Sequence, residues 1–263
     1  MLFERACQWG LIIASAILFS ASVVLTIFWS LSMSAMGGMA MLGGWTMSMM
    51  WMGMPGQTWP GAATLFLGMW VVMMVAMMFP SLVPMLLRYR QNVCETGRTC
   101  LGLLAVLVGL GYFFVWSAFG LTVYLMGVTL AMLEMQVPAL SRAIPMVAGA
   151  IILMAGAFQF TPWKARHLSC CRVSLSCGHP LPASVGTAWR HGLRLGVHCG
   201  ICCAGLVAIL LVIGVMDLRA MAIVALAITA ERLSAAGERI ARFFGAVIAG
   251  TGIFLIARAT GVG

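Results

Sequence analysis

The side chains in this sequence most capable of chemistry are soft donors. His198, Cys199, Cys202 and Cys203 stand within six residues of one another. On a helix, Cys203 follows Cys199 by one turn, Cys202 follows His198 by the same interval and Cys199 by three residues, so the pattern gathers four donors on a common sector. Thiolate sulfur and imidazole nitrogen are ligands for Cu(I) or Zn(II), and a thiolate in an apolar medium needs a cation beside it. The alternative is neutral packing, because free cysteine also behaves as a small hydrophobe. Upstream, His167, Cys170, Cys171, Cys177 and His179 add further N and S donors. Their irregular spacing does not form a paired CxxC zinc module, and a set of reduced cytosolic thiols without a ligand role fits it equally well.

Methionine supplies a second soft group. Of 23 Met residues, 15 lie between Met33 and Met85, where Leu or Val would provide apolar bulk as well. Met33, Met36, Met39 and Met41 begin a run that continues through Met47, Met49, Met50, Met52 and Met54. Neutral thioethers suit Cu(I) and Ag(I), because they bind soft cations without deprotonation; a flexible loop lying against a membrane would also use them. Farther on, Met69, Met73 and Met77 recur every fourth residue with Met74 and Met78 beside them, a helical stripe that either lines a path or packs. Pro80 and Pro84 then interrupt the backbone ladder and predict a kink.

Other chemistry has little support. Glu231 and Arg232 read as an interfacial ion pair. There is no Ser/His/Asp set, phosphate-cradling loop or HExxH, so a hydrolytic enzyme is not indicated. A thiol redox pair of Cys202 and Cys203 is disfavoured because adjacent helical residues point about 100° apart.

The elements that would position these donors are apolar helices. The chain of 263 residues is 63% hydrophobic and 8% charged, with a mean hydropathy of +1.07, too few charges to cover a water-soluble fold. The fold class predicted is all-α, a polytopic transmembrane bundle occupying 1–263 as a single domain, multi-pass in the inner membrane. About seven spans fall near 9–31, 61–87, 101–132, 143–161, 195–216, 218–233 and 239–257. With the N-terminus inside and the C-terminus outside, twelve Lys/Arg lie cytoplasmic and Arg142, Arg219 and Arg258 lie exterior. The Met/Gly-rich segment 32–60 then forms an exterior loop and the Cys/His segment 163–185 a cytoplasmic one. The net charge of +9 reflects this topology and not nucleic acid, since the basic residues are strung singly through loops.

Three blocks resemble a bacterial family described as predicted metal-binding integral membrane proteins. They are Met69-Trp70 through Met77-Met78-Phe79-Pro80-Ser81 and Pro84; Gln159-Phe160-Thr161-Pro162-Trp163-Lys164 with Cys170, Cys171 and Arg172; and Gly192 and Gly196 through Cys199-Gly200-Ile201-Cys202-Cys203, then Gly214, Met216 and Glu231. Trp163 replaces an expected Leu, and Arg232 an expected Lys. The resemblance covers roughly residues 60–235 and implies metal binding without a mechanism.

The residues therefore point to a soft-metal membrane protein, with copper before zinc, that collects Cu(I) on the outer Met loop and holds it at the Cys/His cluster for handling, transfer or delivery. Its partners would be lipid, membrane subunits or a metallochaperone. The alternative is a non-catalytic accessory subunit whose Met- and Gly-rich surfaces pack on partner helices. The charge distribution predicts that a reporter fused after Gly263 is exterior and one fused near Ser174 is cytoplasmic; a cytoplasmic C-terminus would overturn the seven-span topology.

Overall fold

The computed structural model describes residues 2–36, 38–40, 46–48, 51, 58–94, 101–173, 184–234 and 236–260. Those residues form α1 (Leu2–Met36), β1 (Gly38–Ala40), β2 (Thr46–Ser48), α2 (Trp59–Cys94), α3 (Leu101–Gln136), α4 (Pro138–Phe158), α5 (Pro162–Val173), α6 (Val185–Ile213), α7 (Leu218–Leu233) and α8 (Gly237–Ala259). The architecture is helical, apart from an antiparallel hairpin in which Met39 pairs with Met47.

Local chemistry sets the helix ends. Pro138 and Pro162 open α4 and α5, where a missing N–H leaves no intrahelical bond unmade. The Ser184 hydroxyl accepts from the Thr187 N–H to start α6, and Asp217 Oδ1 accepts from the Ala220 N–H to start α7. Gly214 ends α6 with φ of 134°, a backbone conformation that a side chain would strain.

Among the described residues, five helices are long and apolar enough to cross a membrane; they lie within α1, α2, α3, α6 and α8. The fourth of the seven expected spans corresponds to α4, which meets the same test only together with α5 across a 61° bend. The sixth corresponds to α7, whose 16 residues rise roughly 24 Å. Pro80 and Pro84, where a kink is expected, both lie inside α2, which runs through them as one helix. One feature differs from expectation: the first half of segment 163–185 is α5 instead of a loop.

The core sits where α2, α3, α6 and α7 converge, with Met73, Met74, Met77, Met78, Trp70, Tyr112 and Leu210 all buried. Trp70 Nε1 donates to the Trp116 carbonyl at 3.0 Å, tying α2 to α3. By contrast, Trp9, Ile13, Ile17, Val24 and Phe28 of α1 are exposed. Ser30 joins this helix to the α6–α7 turn by donating to the Met216 carbonyl at 2.6 Å.

Glycine brings helices to backbone contact. A Cβ on Gly192 of α6 would lie 2.3 Å from the Val108 carbonyl oxygen of α3, and one on Gly156 of α4 would lie 2.5 Å from the Ala249 nitrogen of α8. Small residues at such crossings let van der Waals contact hold helices together without a hydrophobic drive. Gly200 has open space beside it. We therefore expect Gly192→Val to destabilise the detergent-solubilised protein by about 2 kcal/mol or more, while Gly200→Ala is neutral or slightly stabilising. Thermal unfolding followed by circular dichroism measures both, and equal melting behaviour of the two variants would refute the close-crossing account.

Candidate metal centre

The α6 sequence carries its functional side chains on one stripe. Gly192, Gly196, Cys199 and Cys203 follow one another at intervals of four, three and four, so they share a helix face. The glycines draw this face onto α3, and the cysteines one and two turns later enter the core. Cys199, Cys202 and Cys203 are each no more than 2% exposed.

Cys199 is the hub. Its Sγ lies 3.8 Å from Cys203 Sγ and 4.0 Å from the Met78 Sδ of α2. Tyr112 of α3 donates to Cys199 Sγ at 3.0 Å, and Arg232 Nη1 of α7 donates to it at 3.1 Å. The same guanidinium donates to Ser81 Oγ at 2.8 Å and to Met85 Sδ at 3.2 Å, both on α2. The Ser81 hydroxyl in turn donates to the Met78 carbonyl at 2.9 Å, within the stretch where Pro80 and Pro84 withhold backbone N–H groups.

A second buried polar group adjoins this one along α7. Glu231 pairs with Lys164 of α5, Oε2 to Nζ, at 2.7 Å with both side chains 1% exposed. Lys164 Nζ also donates to Gln159 Oε1, at the break between α4 and α5. Gln159 Nε2 and Glu231 Oε1 are buried with no hydrogen-bond partner among the described residues. The interfacial Glu231–Arg232 pair expected from sequence is thus replaced. Neighbours in sequence on a helix point in different directions, and the two residues take separate partners, Lys164 and Cys199.

His198 turns elsewhere. Its Nδ1 meets His167 Nδ1 of α5 at 3.1 Å, and Trp163 sets its edge against the His167 ring at 4.7 Å between centroids. The four donors expected to form one shell are therefore divided between two places. Among the described residues no three or more His, Cys, Asp or Glu side chains gather at a metal-holding spacing. The third sulfur at Cys199 comes from methionine.

The remaining expected donors are distributed as follows. Met73 and Met77 are buried at 1% and 2% exposure on the α2 face that carries Met78. Met33, near the end of α1, is partly buried against the core. Met41, Cys177 and His179 lie outside the described residues, and for Met36, Met39, Cys170 and Cys171 the backbone alone is described. Ser81, Gln159 and Lys164 enter the sequence reading only within the blocks that resemble a metal-binding family, with no role given to them, and Met85 only as one of the clustered methionines. Nothing in the spacing within α3 distinguishes Tyr112 from its aromatic neighbours.

The donor set suits a soft ion. With metal–sulfur bonds of about 2.3 Å, sulfurs placed tetrahedrally or trigonally around one ion stand about 3.8–4.0 Å apart, as do the pairs at Cys199. Two thiols and a thioether favour Cu(I) over hard cations.

A family model described as PpoB2, copper chaperone, matches residues 67–255. That range contains Met78, Tyr112, Lys164, Cys199, Cys203 and Arg232. Comparison with curated proteins and with solved structures finds no match.

Breaking a buried ion pair leaves a stranded charge, whereas removing both members does not. We expect Lys164→Met or Glu231→Gln alone to lower stability by about 3–5 kcal/mol, and the double change Lys164→Met with Glu231→Leu to recover much of the loss. Thermal unfolding in detergent tests this, and additive losses in the double variant would contradict it.

Proposed function

We propose a copper-handling role on this premise: the chain belongs to the PpoB2 family, whose description is copper chaperone. The protein sits in the membrane as a multi-pass bundle and carries Cu(I) as cargo, held between α2 and α6 by Cys199, Cys203 and Met78. The observation that carries this reading is the pair of sulfur spacings at Cys199, 3.8 Å to Cys203 and 4.0 Å to Met78, in a buried setting. Thioethers bind Cu(I) without losing a proton, while thiols lose theirs as the metal enters.

The approach to this site runs along α2. Met69, Met73, Met77 and Met78 descend its buried face, a rise of roughly 13 Å over nine residues. At the upper end Trp51, from the Met-rich segment, packs against Phe66 at 5.5 Å, and Phe66 stacks on Trp70 at 5.9 Å. Cu(I) gathered by Met33, Met36, Met39 and Met41 passes down this thioether stripe to Cys199. His167 and His198, half-buried at the α5–α6 junction, receive it on the way to an acceptor such as a metallochaperone or a partner enzyme. Zinc fits less well, because the thioether contributes no charge to stabilise a divalent ion.

A second reading, an accessory subunit of a larger membrane complex, draws on α1. Its outer face carries Ala16, Ile17, Ser20, Ala21, Val24 and Leu25 along an open groove of the kind that receives another helix.

Cys199→Ser, Cys203→Ser and Met78→Leu each preserve size but remove a soft donor. We expect each to weaken Cu(I) binding by the purified protein at least tenfold, an effect of about 1.4 kcal/mol or more, with the double Cys variant losing stoichiometric binding. Competition against a chromogenic Cu(I) chelator reads the affinity. Full occupancy in all three single variants would remove the copper site and leave the accessory reading in front.

A further inference from the structure

We infer that the outward face of α6 at Arg190 and Arg194 holds the phosphate headgroup of an anionic phospholipid. The inference rests on the membrane placement proposed above and is independent of copper. From residue 135 to residue 216 the sequence contains no Asp or Glu, while Arg142, Lys164, Arg166, Arg172, Arg190 and Arg194 all fall in that stretch. Lys164 finds its counter-charge in Glu231. Among the described residues no carboxylate comes within ion-pairing distance of Arg190 or Arg194, so an anion for them has to come from outside the chain.

Helix geometry puts the two arginines together. Arg194 follows Arg190 by one turn, and both are exposed. Each stands two residues from Gly192, about 200° round the helix, so they face away from the α3 crossing that Gly192 makes. Val197, 48% exposed, continues the same outward sector. Depth follows from length: residues 195–213 contain no Lys, Arg, Asp or Glu and rise roughly 28 Å, close to the hydrocarbon thickness of about 30 Å. Arg194 therefore stands at the edge of the hydrocarbon and Arg190 roughly 6 Å farther out, at the level of the headgroups. At the same junction His198 meets His167 of α5 at 3.1 Å. Beside His167, Arg166 is exposed and Trp163 is 49% exposed. Exposed tryptophan next to basic residues is the chemistry of a membrane–water boundary.

A guanidinium binds phosphate oxygens through two parallel N–H donors, and a second arginine one turn away lets both forks grip one headgroup. The exposed Val197 beside the pair then selects among anions. A soluble phosphate or an acidic protein surface gains nothing from an aliphatic side chain within one turn of its binding cations. A phospholipid places its headgroup on the arginines and its acyl chain along Val197, so both parts of the face are used.

The full chain in mixed micelles is offered phosphatidylglycerol and phosphatidylcholine with identical acyl chains, and the lipid that stays bound is counted by native mass spectrometry. Wild type is expected to retain phosphatidylglycerol over phosphatidylcholine by about tenfold or more, and Arg190→Gln with Arg194→Gln to bring the two lipids within about threefold of each other. Arg239→Gln with Arg242→Gln removes as much charge from exposed positions on α8 and should leave the preference within about twofold of wild type. Where the double α6 variant does not accumulate as folded protein, Arg194→Gln alone carries the test, with an expected loss of about threefold. No preference in wild type, an unchanged preference in the α6 variants, or an equal loss in the α8 variant would each overturn the proposal. Inorganic phosphate that binds wild type as tightly as the lipid does, and fails to bind the α6 variant, would overturn it in favour of a soluble anion. A chain recovered without detergent in the aqueous fraction of broken cells would instead defeat the membrane placement, before any lipid is tested.

Discussion

A lysine enclosed by apolar helices must find its counter-charge inside the protein, and the pairing of Lys164 with Glu231 constrains much of what surrounds it. The two residues belong to α5 and α7, so the ion pair fixes how those helices meet. It also requires the chain to turn between α4 and α5, because Lys164 has to reach inward while Gln159 offers it a carbonyl. The 61° bend there follows from that need and from Pro162, which favours an extended residue before it. Once Glu231 is committed to Lys164, its sequence neighbour Arg232 is carried round the helix toward α2 and α6. The cation beside the sulfurs is therefore a geometric consequence of the ion pair behind it.

The sulfurs are placed by a different device. Gly192 and Gly196 allow α6 to lie backbone against backbone on α3, and the same stripe then delivers Cys199 and Cys203 into the core. At that crossing Tyr112 comes within hydrogen-bond distance of Cys199. The α2 helix approaches from the other side with Met78, Ser81 and Met85. Close packing on one side and polar anchoring on the other leave Cys199 with contacts from three neighbouring helices, a degree of definition that methionine and cysteine in an ordinary core do not receive.

Much of this is legible in the sequence at the level of single helices. Apolar runs mark α1, α2, α3, α6 and α8, because a helix of this length and composition announces itself by hydropathy. The stripe of Met69, Met73 and Met77, and the one-turn relation of Cys199 to Cys203, follow from the 3.6-residue period. What spacing does not supply is the partner across the interface. His198 shares a sector with Cys202, yet it faces His167, and Glu231 stands beside Arg232, yet it binds a lysine 67 residues away. Periodicity says which residues share a face and is silent on which helix that face meets. The α4–α5 break is hidden for a related reason. With Lys164, Arg166, His167 and Arg172 among its 12 residues, α5 has the polarity of a loop, while burial of Lys164 and Leu168 in the core holds it as helix.

The centre around Cys199 draws on α2, α3, α6 and α7, and its last contributor, Arg232, lies 154 residues beyond Met78. During synthesis the thioether face and Tyr112 emerge long before the thiols, and the thiols before the guanidinium. Earlier intermediates hold only part of this contact set, none with both sulfur types and the guanidinium. The polar contacts around Cys199 are in this way complete only once α7 has packed, and a chain arrested before α7 would hold both kinds of sulfur without the guanidinium that touches them.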